Sequence, residues 1–168
     1  MRDDVYYFHQ TPAILASLLI AHVPLIADDV VYEPFKGEGA FYNAFPDMVV
    51  KKYTEIEDGL DFKDFTEEYD WVISNPPFRL TLNTGKRENS FYTLLKYFLS
   101  KARKGVAFLA NASCFGTLTP KRLAEINGSG WFIQKIVVSN VKKWSGRYFF
   151  IIFEKTPNEF YKHIEGSY

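Results

Sequence analysis

Apolar residues recur along the chain with two different periods, and the places where one period gives way to the other mark the elements. Ile14, Leu15, Leu18 and Leu19 repeat at helical spacing behind Thr11-Pro12, which predicts a helix over residues 11–22 with those four on one face. DDVVYE (28–33) is a short β-branched run and predicts a strand; PFKGEGAFYNAF after it is a glycine-bearing turn that opens a short helix. MVVKKYTEI (48–56) and EEYDWVIS (67–74) predict two further strands, the second ending at Asn75-Pro76-Pro77. RLTLNTGKRENS is a polar loop leading into an amphipathic helix over residues 90–103. GVAFLAN (105–111) is a strand, TPKRLAEIN (119–127) a helix with Thr119 before it and proline at its first position, and FIQKIVV with RYFFIIFEK a closing strand pair.

Strands that alternate with helices predict an α/β chain: a mostly parallel central sheet of Rossmann-like type, helices on both faces, and a closing antiparallel strand. With 168 residues, no repeats and no linker-like stretch, the expectation is a single domain over 1–168 with no separate target-recognition domain. Composition adds little to this beyond excluding disorder, since 47% of residues are hydrophobic and 18% aromatic. One cysteine, Cys114, excludes an internal disulfide and is expected to be a small buried hydrophobe. MRDDVYYFHQ lacks a charged-then-apolar leader, and His22 and Pro24 interrupt the longest apolar stretch, so a cytoplasmic, non-membrane protein is expected.

Charge changes the picture more. Residues 28–70 hold 13 Asp/Glu against 4 Lys/Arg, whereas residues 71–155 hold 14 Lys/Arg against 3 Asp/Glu, within a chain whose net charge is zero. Such segregation suggests that the second half meets a polyanion. His9 and His22 have no companions from which to build a metal site, and Ser113 and Ser139 have no triad context.

In sheets of this kind ligands sit beyond the carboxyl ends of the strands. The first such end is Glu33-Pro34-Phe35-Lys36-Gly37-Glu38-Gly39-Ala40-Phe41, where two glycines two apart allow a tight turn and a close backbone approach. Tyr42 stands where a dinucleotide fingerprint needs its third glycine, which disfavours NAD. Glu55 ends the second strand at the distance where a carboxylate accepts a ribose hydroxyl pair, and Asp61-Phe62 pairs an acceptor with a ring. Taken singly, each has a plain reading too: an ordinary turn, a solvated acid, a loop. Asn75-Pro76-Pro77-Phe78 is harder to read plainly, because two prolines fix φ, remove donors and leave an array of acceptors. The Asn75 side-chain oxygen and the Pro76 carbonyl can point at one amino group while Phe78 stacks on a planar ring, which would hold a poorly nucleophilic amine in line with a methyl donor.

In HQTP, EPFKGEGAF, TEIEDGLDF and SNPPF, in that order, the chain resembles the class I S-adenosylmethionine-dependent amino-methyltransferases, most closely the DNA adenine-N6 branch. The resemblance runs from about Tyr7 to Lys155. It implies S-adenosyl-L-methionine as cofactor, with Thr11 and Pro12 near its methionine carboxylate. Gly37, Gly39 and Phe41 would form the methionine-side loop, Glu33, Pro34 and Phe35 would lead into it, and Asn75 would close it. Glu55 would hold the ribose, and Asp61 with Phe62 the adenine. Asn75, Pro76, Pro77 and Phe78 would be the catalytic set, acting on the N6 amine of a flipped adenine in DNA. RNA bases are the alternative substrate; protein glutamine and a non-catalytic nucleic-acid module come after it. Only five residues separate Glu55 from Asp61, too few for another helix and strand. The sheet is therefore expected to be trimmed there, leaving an edge that a homodimer could cover. Without a recognition domain, contacts to nucleic acid would fall to Arg79, Lys86, Arg87, Lys142, Lys143 and Arg147, or to a separate specificity partner.

Overall fold

The computed structural model describes residues 10–81, 87–142 and 144–158. In chain order the elements are α1 (Ala13–Ile20), β1 (Val30–Glu33), α2 (Ala40–Ala44), β2 (Val50–Tyr53), β3 (Trp71–Ser74), β4 (Arg79–Thr81), β5 (Arg87–Asn89), α3 (Phe91–Leu99), β6 (Gly105–Asn111), α4 (Ala112–Phe115), α5 (Pro120–Gly128), β7 (Phe132–Ser139) and β8 (Tyr148–Glu154). Six strands form one sheet in the order β2-β1-β3-β6-β8-β7. β2, β1, β3 and β6 run parallel, and β8 lies antiparallel between β6 and β7.

The strands alternate side chains between two apolar layers, as a period of two requires. Val72, Val106, Phe108, Ala110, Ile151 and Phe153 face a layer shared with α3 and α5. Trp71, Ile73, Ala107, Leu109, Phe150 and Ile152 face the layer of α1 and α2. Both faces are covered, which is why the central strands read as unbroken apolar runs. The pairing of β3 with β6 sets Trp71 opposite Gly105. A Cβ on Gly105 would run into the six-membered ring of Trp71, so glycine is needed there for room.

α1 departs from the expected pattern. It buries Ala16, Leu19 and Ile20 and leaves Ile14 78% and Leu18 62% exposed. The helix is apolar nearly all round, so periodicity alone could not select the inner stripe; Ala16, fully buried, lets the helix approach the sheet layer closely. Part of the expected polar loop is also ordered differently: β4 and β5 pair antiparallel, with Arg79 opposite Asn89. The expected trimming is present, since among the described residues β2 is the last strand on its side.

At the amino ends of the parallel strands the two charge blocks meet. Lys104 bonds Asp29 at 2.5 Å, and Arg103 bonds Asp70 at 3.2 Å and Glu68 at 2.9 Å. Burial alone would raise the pKa of Asp70, but the Val30 N–H, Arg103 and Lys104 together outweigh it and hold the carboxyl below its ordinary value. Part of the basic half is thus neutralised by the acidic half, far from the strand ends where ligands bind. Cys114 is buried on α4, as expected. Among the described residues no helix is long and apolar enough to cross a membrane, and no cluster of His, Cys, Asp or Glu could hold a metal ion.

Candidate active site at the carboxyl ends of the strands

The loop after β1 is held from three directions. Thr54, buried just past β2, donates its hydroxyl to the Pro34 carbonyl at 2.9 Å and lies 2.6 Å from the Tyr32 hydroxyl. Lys36 donates its N–H to the Thr54 carbonyl at 3.2 Å, and its ammonium sits 3.7 Å over the Tyr53 ring. The loop then turns through Gly37 at φ 49° and Gly39 at φ 82°, the left-handed region that favours glycine. Beyond it lies α2, whose Phe41 is buried in the sheet layer.

Glu33 closes β1 with a side chain that is 2% exposed. It accepts a hydrogen bond from the Tyr42 N–H, yet its Oε2 has no partner among the described residues. Burial pushes its pKa well above the ordinary carboxylate value, and the neighbouring charge of Glu55 adds to the rise. The Glu33 Oε2 is left open to a hydrogen-bond donor in the cleft.

Glu55 lies two residues beyond the end of β2, which stops at Tyr53 and not at Glu55 as expected. Its carboxylate, however, also serves the protein: Oε2 accepts the Gly37 N–H at 2.5 Å and Oε1 the Glu57 N–H at 3.3 Å. A carboxylate has about four acceptor sites, so two remain for a ligand. Asp61 accepts the Lys63 N–H at 3.0 Å as the cap of a short 3-10 turn, and Phe62 packs edge-on to Phe35 at 5.1 Å and to Tyr97 at 5.5 Å. The Phe35–Phe62 pair is an aromatic wall next to Glu55's strand end.

The third strand end carries Asn75. Its amide nitrogen donates to the Thr11 hydroxyl at 3.3 Å. Gln10, Thr11, Glu33, Gly37, Phe41 and Asn75 line one narrow cleft. Through Gln10, Thr11 and Ala40 the cleft continues into a cavity of about 500 Å³ bounded by Pro12, Asn43, Val141 and Trp144. Phe78, half-buried, touches both apolar layers at the end of the Asn75–Phe78 turn. A larger groove, about 640 Å³, lies between α3 and α5 and involves none of these residues.

The structure therefore gathers Thr11, Glu33, Phe35, Gly37, Phe41 and Asn75 around one cleft, while Asp61 and Phe62 do not line it, Phe62 packing against Phe35. Sequence reasoning passed over Gln10, whose side chain lies over Gly37, and the hydroxyls of Thr54 and Ser90; their only signal was nearness to the motifs. β7 runs parallel to β6 and Ser139 is level with Asn111, so the turn with exposed Lys142 and Arg147 projects from the same sheet end as Asn75. Arg79, also exposed, follows Phe78 directly, and Arg87 lies in β5; Lys86 and Lys143 fall outside the described residues.

Solved structures of methyltransferases share this architecture. No protein-family model matches the sequence, and no curated protein sequence matches it. Among solved structures, a putative RNA methyltransferase from Pyrococcus horikoshii is similar with a TM-score of 0.63 and 18% identity over 90% of this chain and 89% of its own. TrmN from Thermus thermophilus gives 0.57 and 17% over 86% of this chain, which spans only 49% of that protein. The E. cuniculi Mtq2–Trm112 complex, responsible for methylation of the eRF1 translation termination factor, gives 0.60 and 14% over 90% of this chain and 99% of the matched one. At these identities the likeness establishes the fold.

Proposed function

We propose that the chain is an S-adenosylmethionine-dependent methyltransferase acting on the exocyclic N6 amine of adenine in DNA. The observation that carries this reading is the cleft in which a buried Glu33 carboxyl with an unpartnered oxygen lies with the left-handed glycine loop and Asn75. These residues fit the cofactor. Glu33 would take its ammonium, Gly37 and Gly39 the close approach of its methionine end, Glu55 its ribose, and Phe62 with Asp61 its adenine. When bound, the cofactor supplies an electrophilic methyl group.

Everything else falls to the Asn75–Phe78 turn. Asn75 Oδ1 and the Pro76 carbonyl accept the two N–H bonds of the target amine, drawing its lone pair out of conjugation and toward the methyl. The Pro76 carbonyl receives no backbone hydrogen bond among the described residues, in keeping with that role. Phe78 stacks on the target base, whose extrusion from a duplex costs a few kcal/mol. The methylated amine then sheds its proton to solvent. Arg79, Lys142 and Arg147 face the phosphates around the cleft. A second reading, transfer to a base in RNA, is favoured by the likeness to the Pyrococcus protein.

Incubation with tritiated cofactor and duplex DNA, single-stranded DNA or RNA tests this. Label on the N6 position of adenine in DNA is expected. Label on RNA alone would install the second reading, and label on neither nucleic acid would overturn both.

A further inference from the structure

Ser90 belongs to none of the motifs, yet it is fully buried and touches the Asn75–Phe78 turn twice. Its hydroxyl donates to the Pro77 carbonyl at 2.6 Å, and its backbone N–H donates to the Phe78 carbonyl at 3.2 Å. Ser90 is also the residue that precedes α3, where a serine ordinarily spends its hydroxyl capping the first turn. Here it makes no such cap. The hydroxyl is turned back to the turn instead.

The geometry of two consecutive prolines explains why that bond matters. The rings fix φ at Pro76 and Pro77, and neither residue has an N–H by which the turn could be tied down. ψ of Pro76 is confined to the extended region because a proline follows it. ψ of Pro77 has no such restriction, and it decides where Phe78 lies relative to Asn75. The Pro77 carbonyl swings with that angle, so the Ser90 hydroxyl, by holding the carbonyl, sets it. With Pro77 and Phe78 both engaged by Ser90, the Pro76 carbonyl remains the acceptor of this turn for a ligand.

We propose that Ser90 is a positioning residue for methyl transfer: it locks the Pro77 peptide and thereby holds Phe78 and the Pro76 carbonyl in register with Asn75. This rests on the methyltransferase reading above. Misplacement of a reacting group by about 1 Å can cost up to about 100-fold in rate, so a loss of about ten-fold in kcat is expected when the hydroxyl is removed.

The test compares Ser90→Ala and Ser90→Cys, the second keeping nearly the volume of serine with a poor donor, on whichever nucleic acid the parent methylates. Both variants should keep the calorimetric Kd and the KM for the cofactor within about two-fold while kcat falls about ten-fold. A crystal structure of Ser90→Ala should show the Pro77 peptide rotated and Phe78 displaced. Should Ser90→Ala fail to fold, Ser90→Cys decides. Parental kcat in a folded variant would overturn the inference, as would an unmoved Phe78, whatever the activity. A parent that methylates no nucleic acid refutes the substrate reading instead, and the position of Phe78 still tests Ser90.

Discussion

Asn75 and Glu33 stand on adjacent strands but face different chemistry, and substitution should separate them. Under the proposed function Asn75→Ala would remove an acceptor for the target amine, so methyl transfer should be lost while calorimetric cofactor affinity stays within a few-fold; a large fall in affinity would move Asn75 to the cofactor's side. Glu33→Gln should do the reverse and abolish cofactor binding. It should also change stability in a way that identifies burial as the cause. Because burial raises the folded pKa of Glu33, its contribution to stability is fully present below the ordinary carboxylate pKa and is lost as pH rises through the folded value. Glutamine has no proton to lose. Parent and variant should therefore melt together in the ordinary carboxylate range, and the variant should pull ahead toward neutral pH, by about 2–4 °C per kcal/mol. Thermal melts across that interval without cofactor check it. The positions of Glu33, Asn75 and the glycines were legible in the sequence because all of them follow from where the strands end. The double duty of Glu55 was not, since its bond to the Gly37 N–H joins residues 18 apart that only the β1–β2 pairing brings together.

Among the elements, the sheet was legible and the buried stripe of α1 was not, for opposite reasons. β3 and β6 are unbroken apolar runs bounded by turns, and burial on both faces permits little else. α1 offers apolar residues on every side, so its inner stripe was decided by which side chains let it approach the sheet layer. The strand β4 escaped notice because three residues are too few to show a period. Of the described glycines, Gly105 is the most closely packed, against Trp71. Gly105→Ala should force the indole or the strand pair to shift and destabilise the fold by about 1–3 kcal/mol, as overpacked cores do. Urea titration reads this as a lower midpoint with an unchanged slope, and a parental midpoint would show that the indole can yield.

At the scale of the molecule, the charge segregation seen along the sequence is divided in space. Arg103 and Lys104 are neutralised at the amino ends of the strands, whereas Lys142 and Arg147 stand at the carboxyl ends with no carboxylate within salt-bridge distance among the described residues. Under the proposed function only the second group would meet phosphates near Asn75. Removing Lys142 and Arg147 together should weaken nucleic-acid binding about equally for all sequences and flatten the salt dependence of log affinity by up to about two units, at about 0.9 per duplex phosphate. Anisotropy titrations in salt measure it, and an unchanged slope would reduce both residues to solvated charges.

The single cysteine gives the molecule a clock of its own. Cys114 is 1% exposed on α4, directly after β6 and beneath the sheet end that carries the cleft. A thiol reagent can reach it only when that region opens, so the labelling rate reports the free energy of local opening. A ligand that binds only the closed state slows opening in proportion to its occupancy. Labelling of unmodified protein with and without S-adenosylmethionine should show marked protection, and with it a reading of cofactor binding that needs neither a substrate nor a substitution.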